Sequence, residues 1–364
     1  MFVSSLKVFK FRNLADQTIE LDSGAVYING LNGNGKTNLV EALYLLSGSR
    51  SFRTNSTGEL LKWGEREASV FGTVVSKNGS EELGLIFTPG ERTAYSNGKA
   101  LDSVTDLIGR LRVIAFSPAD LSLVKGSPSG RRKFLDRHMV DLSPGFIKLL
   151  MAYQRALASK SAVLKQSGID YSHIKPWNEL LAEYCGKIVD NRLNFIKSLG
   201  EKAAEFHNQY ATTDGELVIT LESDFIKAEQ ILSQNDILDK FENAAPREMM
   251  TRTPVLGAQR DDLAITLGGV DARAFASQGQ TRSVVLSLKL GVIDLLEGLT
   301  GESPVILLDD VDSELDKGRS ERLFTALLSK PRQVIVTGTE APSDYLLASG
   351  NLCTRTVSQG KVVP

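Results

Sequence analysis

The hydrophobic pattern opens with strand character over residues 3–11 and again over 24–28, the second run leading directly into a glycine-rich loop. Helical spacing then takes over from 37 to about 47, with Leu39, Val40, Leu43, Leu45 and Leu46 marking one apolar side. Short strands are predicted near 68–75, 83–87 and 93–95. Asn78-Gly79 and Asn97-Gly98 supply hairpin-type turns between them, which makes a β-rich apron beside the glycine loop.

From about 129 to 245 the period changes. Helical spacing dominates, in long segments such as 146–166 and 177–210, and the only strong strand candidate is 216–221. This reads as a helical lobe inserted within an α/β lobe. Beyond 256 the α/β pattern returns, with strands at 263–267, 305–308 and 333–337 and helices at 280–296 and 318–328. The expected division is an ATPase lobe over 1–128, a helical lobe over 129–245, and a return to the ATPase head over 246–364.

Composition adds exclusions. Hydrophobic residues at 42% and charged residues at 24% are ordinary for a globular protein that buries a sizeable core. Lysines interrupt the N-terminal stretch before a signal-like apolar core develops, and no uncharged apolar run is long enough to span a bilayer. With only Cys185 and Cys353, a disulfide framework is not expected and a cytoplasmic setting fits. His138, His173 and His207 are scattered, so no zinc site is expected. A net charge of −2 gives no global pull toward nucleic acid. The stretch from Lys125 to Lys165 is nevertheless rich in Lys and Arg. It could form a basic face or simply a solvated helix surface.

Three motifs carry chemistry. In Gly30-Leu31-Asn32-Gly33-Asn34-Gly35-Lys36-Thr37, glycines let backbone N–H groups wrap around phosphate oxygens, where a Cβ would obstruct. Lys36 is expected to neutralise the β- and γ-phosphates of ATP, and the Thr37 hydroxyl to ligate Mg²⁺. The run Val305-Ile-Leu-Leu-Asp309-Asp310 fits a buried parallel strand whose carboxylate end faces a ligand. Asp309 would hold Mg²⁺ through water and Asp310 would orient or activate the attacking water. By itself such a run fits an ordinary buried strand ending in Asp equally well. Ser277-Gln-Gly279-Gln280 precedes a long helix, either as a phosphate-binding turn or as a plain N-cap.

The order of these motifs resembles the ATP-binding-cassette ATPases, in their DNA-repair branch. Finer features narrow the resemblance to the RecF family of bacterial recombination mediators, almost end to end. They are Phe11-Arg12-Asn13-Leu14, Asn38 after Lys-Thr, Arg50-Ser-Phe-Arg53, Gly126-Ser-Pro-Ser-Gly-Arg131-Arg132-Lys133, Gly257-Ala-Gln-Arg-Asp-Asp262 and Leu307-Leu-Asp-Asp-Val-Asp-Ser-Glu-Leu-Asp316. The resemblance implies an ABC-type ATPase head, mixed α/β, with two ATPs sandwiched between two copies. Ser277, Gly279 and Gln280 would complete the partner's site, residues 312–316 would cross the interface, and Arg12 and Asn13 would touch phosphate or ribose. It further implies ATP-dependent DNA binding, weak DNA-stimulated ATPase activity, and work with RecO and RecR to place RecA in recombinational repair. Arg50, Arg53, Arg131, Arg132 and Lys133 are the DNA-contact candidates. For Arg131 and Arg132 the alternative is pairing with Asp136 on a helix.

This chain also departs from broader relatives. Position 278 is Gln where transporters carry Gly, and the second carboxylate is Asp310 rather than Glu, which favours slow hydrolysis. Thr337-Gly-Thr339 stands where a switch histidine is common, so a hydroxyl would have to meet the γ-phosphate. Residues 116–120 are the nearest stand-in for a Q-loop. Two other readings are a chromosome-structure ATPase head of the SMC type and a transporter's nucleotide-binding subunit. The insert lacks the sustained heptads of an SMC coil.

Overall fold

The computed structural model describes residues 1–211, 214–310, 317–342, 344–347 and 352–363. The chain forms two compact units, one built from Met1–Leu121 with Ile293–Pro364 and the other from Ser122–Val292.

The first unit begins with β1 (Phe2–Phe9), β2 (Gln17–Glu20) and β3 (Ala25–Asn29), followed by α1 (Lys36–Leu45). Next come β4 (Ala68–Ser76), β5 (Gly79–Thr88), β6 (Glu91–Ser96), β7 (Lys99–Ala100) and β8 (Val113–Phe116). Strands β1, β2 and β4–β7 make an antiparallel sheet in the order β2-β1-β4-β5-β6-β7. Its β6–β7 hairpin turns at Asn97 (φ 47°) and Gly98 (φ 75°), the two left-handed positions that a two-residue turn of this hand requires.

The second unit is mainly helical. It contains α2 (Ser122–Lys125), α3 (Pro128–Leu142), α4 (Gly145–Leu164), α5 (Tyr171–Tyr210) and α6 (Gln234–Thr251). Its strands are β9 (Leu217–Glu222), β10 (Ile226–Lys227), β11 (Gln230–Ile231), β12 (Asp262–Leu267) and β13 (Val270–Asp271). After the short α7 (Ala272–Phe275), helix α8 (Gln278–Thr300) carries the chain back to the first unit. There β14 (Val305–Asp309), α9 (Lys317–Leu328), β15 (Val334–Gly338), α10 (Asp344–Leu347), β16 (Leu352–Ser358) and β17 (Lys361–Val363) complete the chain.

The central sheet of the first unit runs β17-β16-β3-β15-β14-β8, parallel except at the β17 edge. Every residue of β14 and β15 is buried, as expected for parallel strands covered on both faces. Leu39, Val40 and Leu43 of α1 are fully buried in one core with Val26, Ile28, Val305 and Ile335 of this sheet and Leu6, Val70 and Leu85 of the antiparallel one. Each such side chain contributes roughly 1.5–3 kcal/mol relative to exposure. Buried Gln333 joins the two sheets. Its amide accepts from Val3 N and donates to the Val3 and Asp22 carbonyls, each at 2.8 Å.

The division differs from the expected bounds: the second unit starts at Ser122 and extends to Val292, taking in the segment assigned from sequence to the ATPase head. The reason is a long-range partner. Strand β12 pairs antiparallel with β9, from Asp262 opposite Glu222 to Leu267 opposite Leu217. Strands β16 and β17 lie beyond the last strand that the sequence pattern predicts.

Buried charges in the second unit revise the reading of its arginines. Arg131, a DNA-contact candidate from the sequence, is 3% exposed and grips Asp262 with two 2.7 Å hydrogen bonds, which commits its guanidinium to the fold. Asp136 pairs with Arg192, which also reaches Asp261, instead of with its neighbours on α3. Arg132 donates to the Asp261 carbonyl at 2.6 Å, while Lys133 is exposed. The Lys125–Lys165 run is not one basic face, because Lys160 is fully buried against Glu248 at 2.5 Å.

In the first unit Glu297 sits between Arg332 and Lys330 and accepts from Ser303. Burial raises its pKa, but the hydrogen bonds from Arg332, Lys330 and Ser303 outweigh it and hold the carboxyl at about 2. A depressed carboxyl stabilises the fold above its unfolded pKa and loses that contribution as pH falls through the folded one. Glu297→Gln should therefore lower the thermal midpoint at neutral pH, with the difference fading between about pH 4.5 and pH 2. Calorimetry across that window checks it; a pH-independent difference would contradict the assignment.

Candidate nucleotide site

The glycine loop lies between β3 and α1, as the sequence predicts. Gly35 has φ 108°, and a Cβ there would come within 2.9 Å of Asn13 Oδ1 and Leu14 Cδ2. A Cβ on Gly30 would meet the Val357 carbonyl oxygen at 2.5 Å. The loop is thus packed against the segment after β1 and against β16, and only glycine fits. Helix α1 has no side-chain cap, which leaves its first N–H groups available to an anion.

Beside the loop is a cleft of about 540 Å³. Among the described residues its lining comes wholly from the first unit and includes Lys36, Thr37, Asn38, Arg12, Asn13, Asp309 and Asp310. Lys36 Nζ donates to the Gly30 carbonyl at 2.5 Å and to that of Leu31 at 3.3 Å. Burial lowers its pKa against the opposing pull of Asp310 and Asp309. Thr37 Oγ1 donates to Asp309 Oδ1 at 3.0 Å, so the two expected metal-site residues already face each other across 272 positions of sequence. Burial pushes the Asp309 carboxyl up, while hydrogen bonds from Thr337 and Thr37 pull it back.

Thr337 departs from expectation. It is fully buried within β15, donates to Asp309 Oδ1 and accepts from Asp310 N, each at 3.0 Å. Its hydroxyl fixes the carboxylate of Asp309 and the backbone of Asp310. Asp310 takes a left-handed φ of 54°, uncommon outside glycine, which this hydrogen bond helps to fix. Thr339 is exposed and is not among the cleft-lining residues described, nor is any residue of 116–120. Residues 312–316 lie outside the described residues.

Arg12 and Asn13 do line the cleft. The Arg12 guanidinium makes two 2.9 Å hydrogen bonds to Glu41, a carboxylate fully buried in α1. Asn13 Nδ2 donates to the Gly33 carbonyl at 2.8 Å, and Asn38 Nδ2 donates to Asn13 Oδ1 at 2.6 Å. Arg53 extends the chain, donating to Asn38 Oδ1 at 2.5 Å and lying 3.6 Å from Glu41. This DNA-contact candidate therefore lies on the nucleotide cleft. Sequence reasoning missed Glu41, hidden in the apolar spacing of α1, and Trp63, a fully exposed aromatic on the cleft rim. The charged neighbours in Lys62-Trp63-Gly64-Glu65 were a signal against burial.

At the start of α8, Gln280 N donates to Ser277 Oγ at 3.2 Å and Ser277 N donates to Gln280 Oε1 at 2.9 Å. This reciprocal pair is a capping box, so the capping role left open by the sequence is present. Ser277 is exposed, Gly279 and Gln280 are half-buried, and Phe275 just before them is 73% exposed.

The RecF/RecN/SMC N terminal domain family matches residues 2–343. The DNA replication and repair protein RecF of Halothermothrix orenii is 36% identical over 350 residues, covering 93% of this chain and 92% of that protein. This chain belongs to the RecF family. A solved structure of the recombination mediator protein RecF-ATP in the RecFOR pathway superposes with a TM-score of 0.90 at 30% identity, covering 100% of this chain and 97% of that one. The Smc head domain of Pyrococcus furiosus, at 16% identity and a TM-score of 0.60, shares the fold alone. The ATPase-head fold expected from the sequence is the fold observed. Among the described residues no helix is long and apolar enough to cross a membrane.

Proposed function

We propose that this chain is an ATP-dependent, DNA-binding recombination mediator in which two copies close over two molecules of ATP. The observation that carries this is a cleft furnished from one side. Lys36, Thr37, Asp309 and Asp310 gather in one unit, while Trp63 on the rim is fully exposed and among the described residues nothing covers it. Lys36 exchanges the carbonyls of Gly30 and Leu31 for β- and γ-phosphate oxygens. Thr37 and Asp309 offer the hard oxygen donors that suit Mg²⁺, which neutralises phosphate charge when bound. Trp63 offers its face to the purine, and Arg12 and Asn13 reach phosphate or ribose. Asp310 positions water, and its short side chain supports slow hydrolysis as the release step.

Ser277, Gly279 and Gln280 of the second copy would cover the γ-phosphate. ATP then adds contacts to both copies and ADP does not, so nucleotide state sets assembly. Joining two copies on one duplex raises affinity for DNA. The family relationship supports RecO and RecR as partners and the loading of RecA as the outcome. Light scattering with ATP, with ADP and without nucleotide, alongside titration of duplex, single-stranded and gapped DNA, tests the reading. A doubled mass and tighter DNA binding with ATP alone are expected. A monomer at saturating ATP would sink the clamp.

A further inference from the structure

A second cavity, of about 180 Å³, lies between the chain after α1 and the β5–β6 hairpin. It shares no lining residue with the nucleotide cleft. Arg50 and Arg92 both line it, with Thr54, Asn55 and Ser56, and no Asp or Glu does. Three other arginines of this unit are each matched to a carboxylate: Arg12 to Glu41, Arg110 to Glu81 and Arg332 to Glu297. Arg50 and Arg92 have no carboxylate partner among the described residues. Arg92 gives one N–H to the Ser49 carbonyl at 2.8 Å, which fixes its guanidinium, and its pKa is lowered by burial and then by Arg50. The walls are tied together, since Thr57 Oγ1 donates to the Thr88 carbonyl and accepts from Gly90 N. Beside the apolar Leu45, Leu60 and Phe87, the lining offers two arginines, the hydroxyls of Thr54 and Ser56 and the amide of Asn55, with no acid to neutralise the cations, a set that suits an oxyanion.

The geometry points to a phosphate seat built by Arg50 and Arg92, separate from the ATP site and serving a backbone phosphate of DNA. The second half of that statement rests on the proposed function. One turn links the two sites. Ser51 Oγ donates to Glu41 at 2.5 Å and accepts from the N–H groups of Arg53 and Thr54. Arg53 thus faces the nucleotide cleft while Arg50, three residues earlier, faces the phosphate seat. The cleft and the seat are thus joined by one hydrogen-bonded turn.

The test uses the full chain and the Arg92→Ala, Arg50→Glu and double variants, each checked for an unchanged circular dichroism spectrum. With ATP present, the slope of log K for duplex binding against log salt should flatten by about 0.9 in Arg92→Ala, the signature of one lost phosphate contact. ATP affinity should stay within twofold of the parent. In a second arm, inorganic phosphate is titrated into ATP-loaded protein, and the seat predicts a thermal shift that the double variant lacks. If DNA slopes do not change but the phosphate shift is lost, the seat stands with free phosphate as its source and the DNA assignment is overturned. If the parent binds no DNA with ATP, the proposed function fails while the phosphate arm still decides the seat. An unchanged slope together with an identical phosphate response in parent and double variant overturns the seat altogether.

Discussion

Replacing Lys36 with Ala is expected to leave a folded chain that no longer holds ATP. The side chain is 7% exposed and donates only to the loop carbonyls of Gly30 and Leu31, so truncation removes no ion pair within the fold. With nucleotide bound, the same ammonium would make charge-assisted hydrogen bonds to two phosphates, each worth roughly 1.5–3 kcal/mol. Their loss weakens binding on the order of a hundredfold or more. Trp63 on the cleft rim is a built-in reporter, since the only other tryptophan, Trp177, lies in the second unit. Parent fluorescence should quench on addition of Mg-ATP and that of Lys36→Ala should not, with DNA affinity becoming indifferent to ATP. Retained ATP affinity within threefold of the parent would remove Lys36 from the assigned role.

Ser277→Arg should separate binding from assembly. The change removes the capping hydrogen bond to Gln280 N and places a cation at a helix N-terminus, a cost of about 1–2 kcal/mol. The fold should survive this, and the phosphate loop, drawn wholly from other residues, should bind ATP as before. A long cation on an exposed turn nonetheless blocks approach of a second copy's phosphate loop. The expected result is full Trp63 quenching with a monomer mass at saturating ATP. Ser277→Ala, which loses the cap without the bulk, should assemble more weakly than the parent but more than Arg. Dimerisation of Ser277→Arg with ATP would break the link between this turn and the partner's nucleotide.

What could be read from sequence follows from how local each constraint is. Gly30, Gly33 and Gly35 are legible as a local spacing, Gly33 and Gly35 because their left-handed φ favours glycine, although what crowds Gly30 is the Val357 carbonyl far along the chain. The buried run ending in Asp309 is legible locally too, its apolar residues being set by burial on both faces. By contrast, Arg131 is assigned by Asp262, a partner 131 positions away, and nothing within α3 announces it. Arg50 and Arg53 look equivalent in sequence, yet a three-residue turn sends them into different cavities. Strand β12 lies in the stretch assigned to the ATPase head and pairs with β9 of the helical unit. Strand β16, partly exposed, is strand because it pairs with β3, over three hundred residues earlier in the chain.

That last pairing, with Gln333 holding β1, has a consequence for the order in which the protein comes into being. Strand β3 lies between β15 and β16, and Val3 is clasped by a residue 330 positions later. The central sheet cannot be finished until the ribosome has released the C-terminal strands. The second unit is one uninterrupted stretch, Ser122–Val292, and can collapse as it emerges. At roughly 5–20 residues per second the early strands wait on the order of ten seconds or longer with their hydrophobic faces open. The glycine loop, at the end of β3, is therefore translated early and becomes competent last.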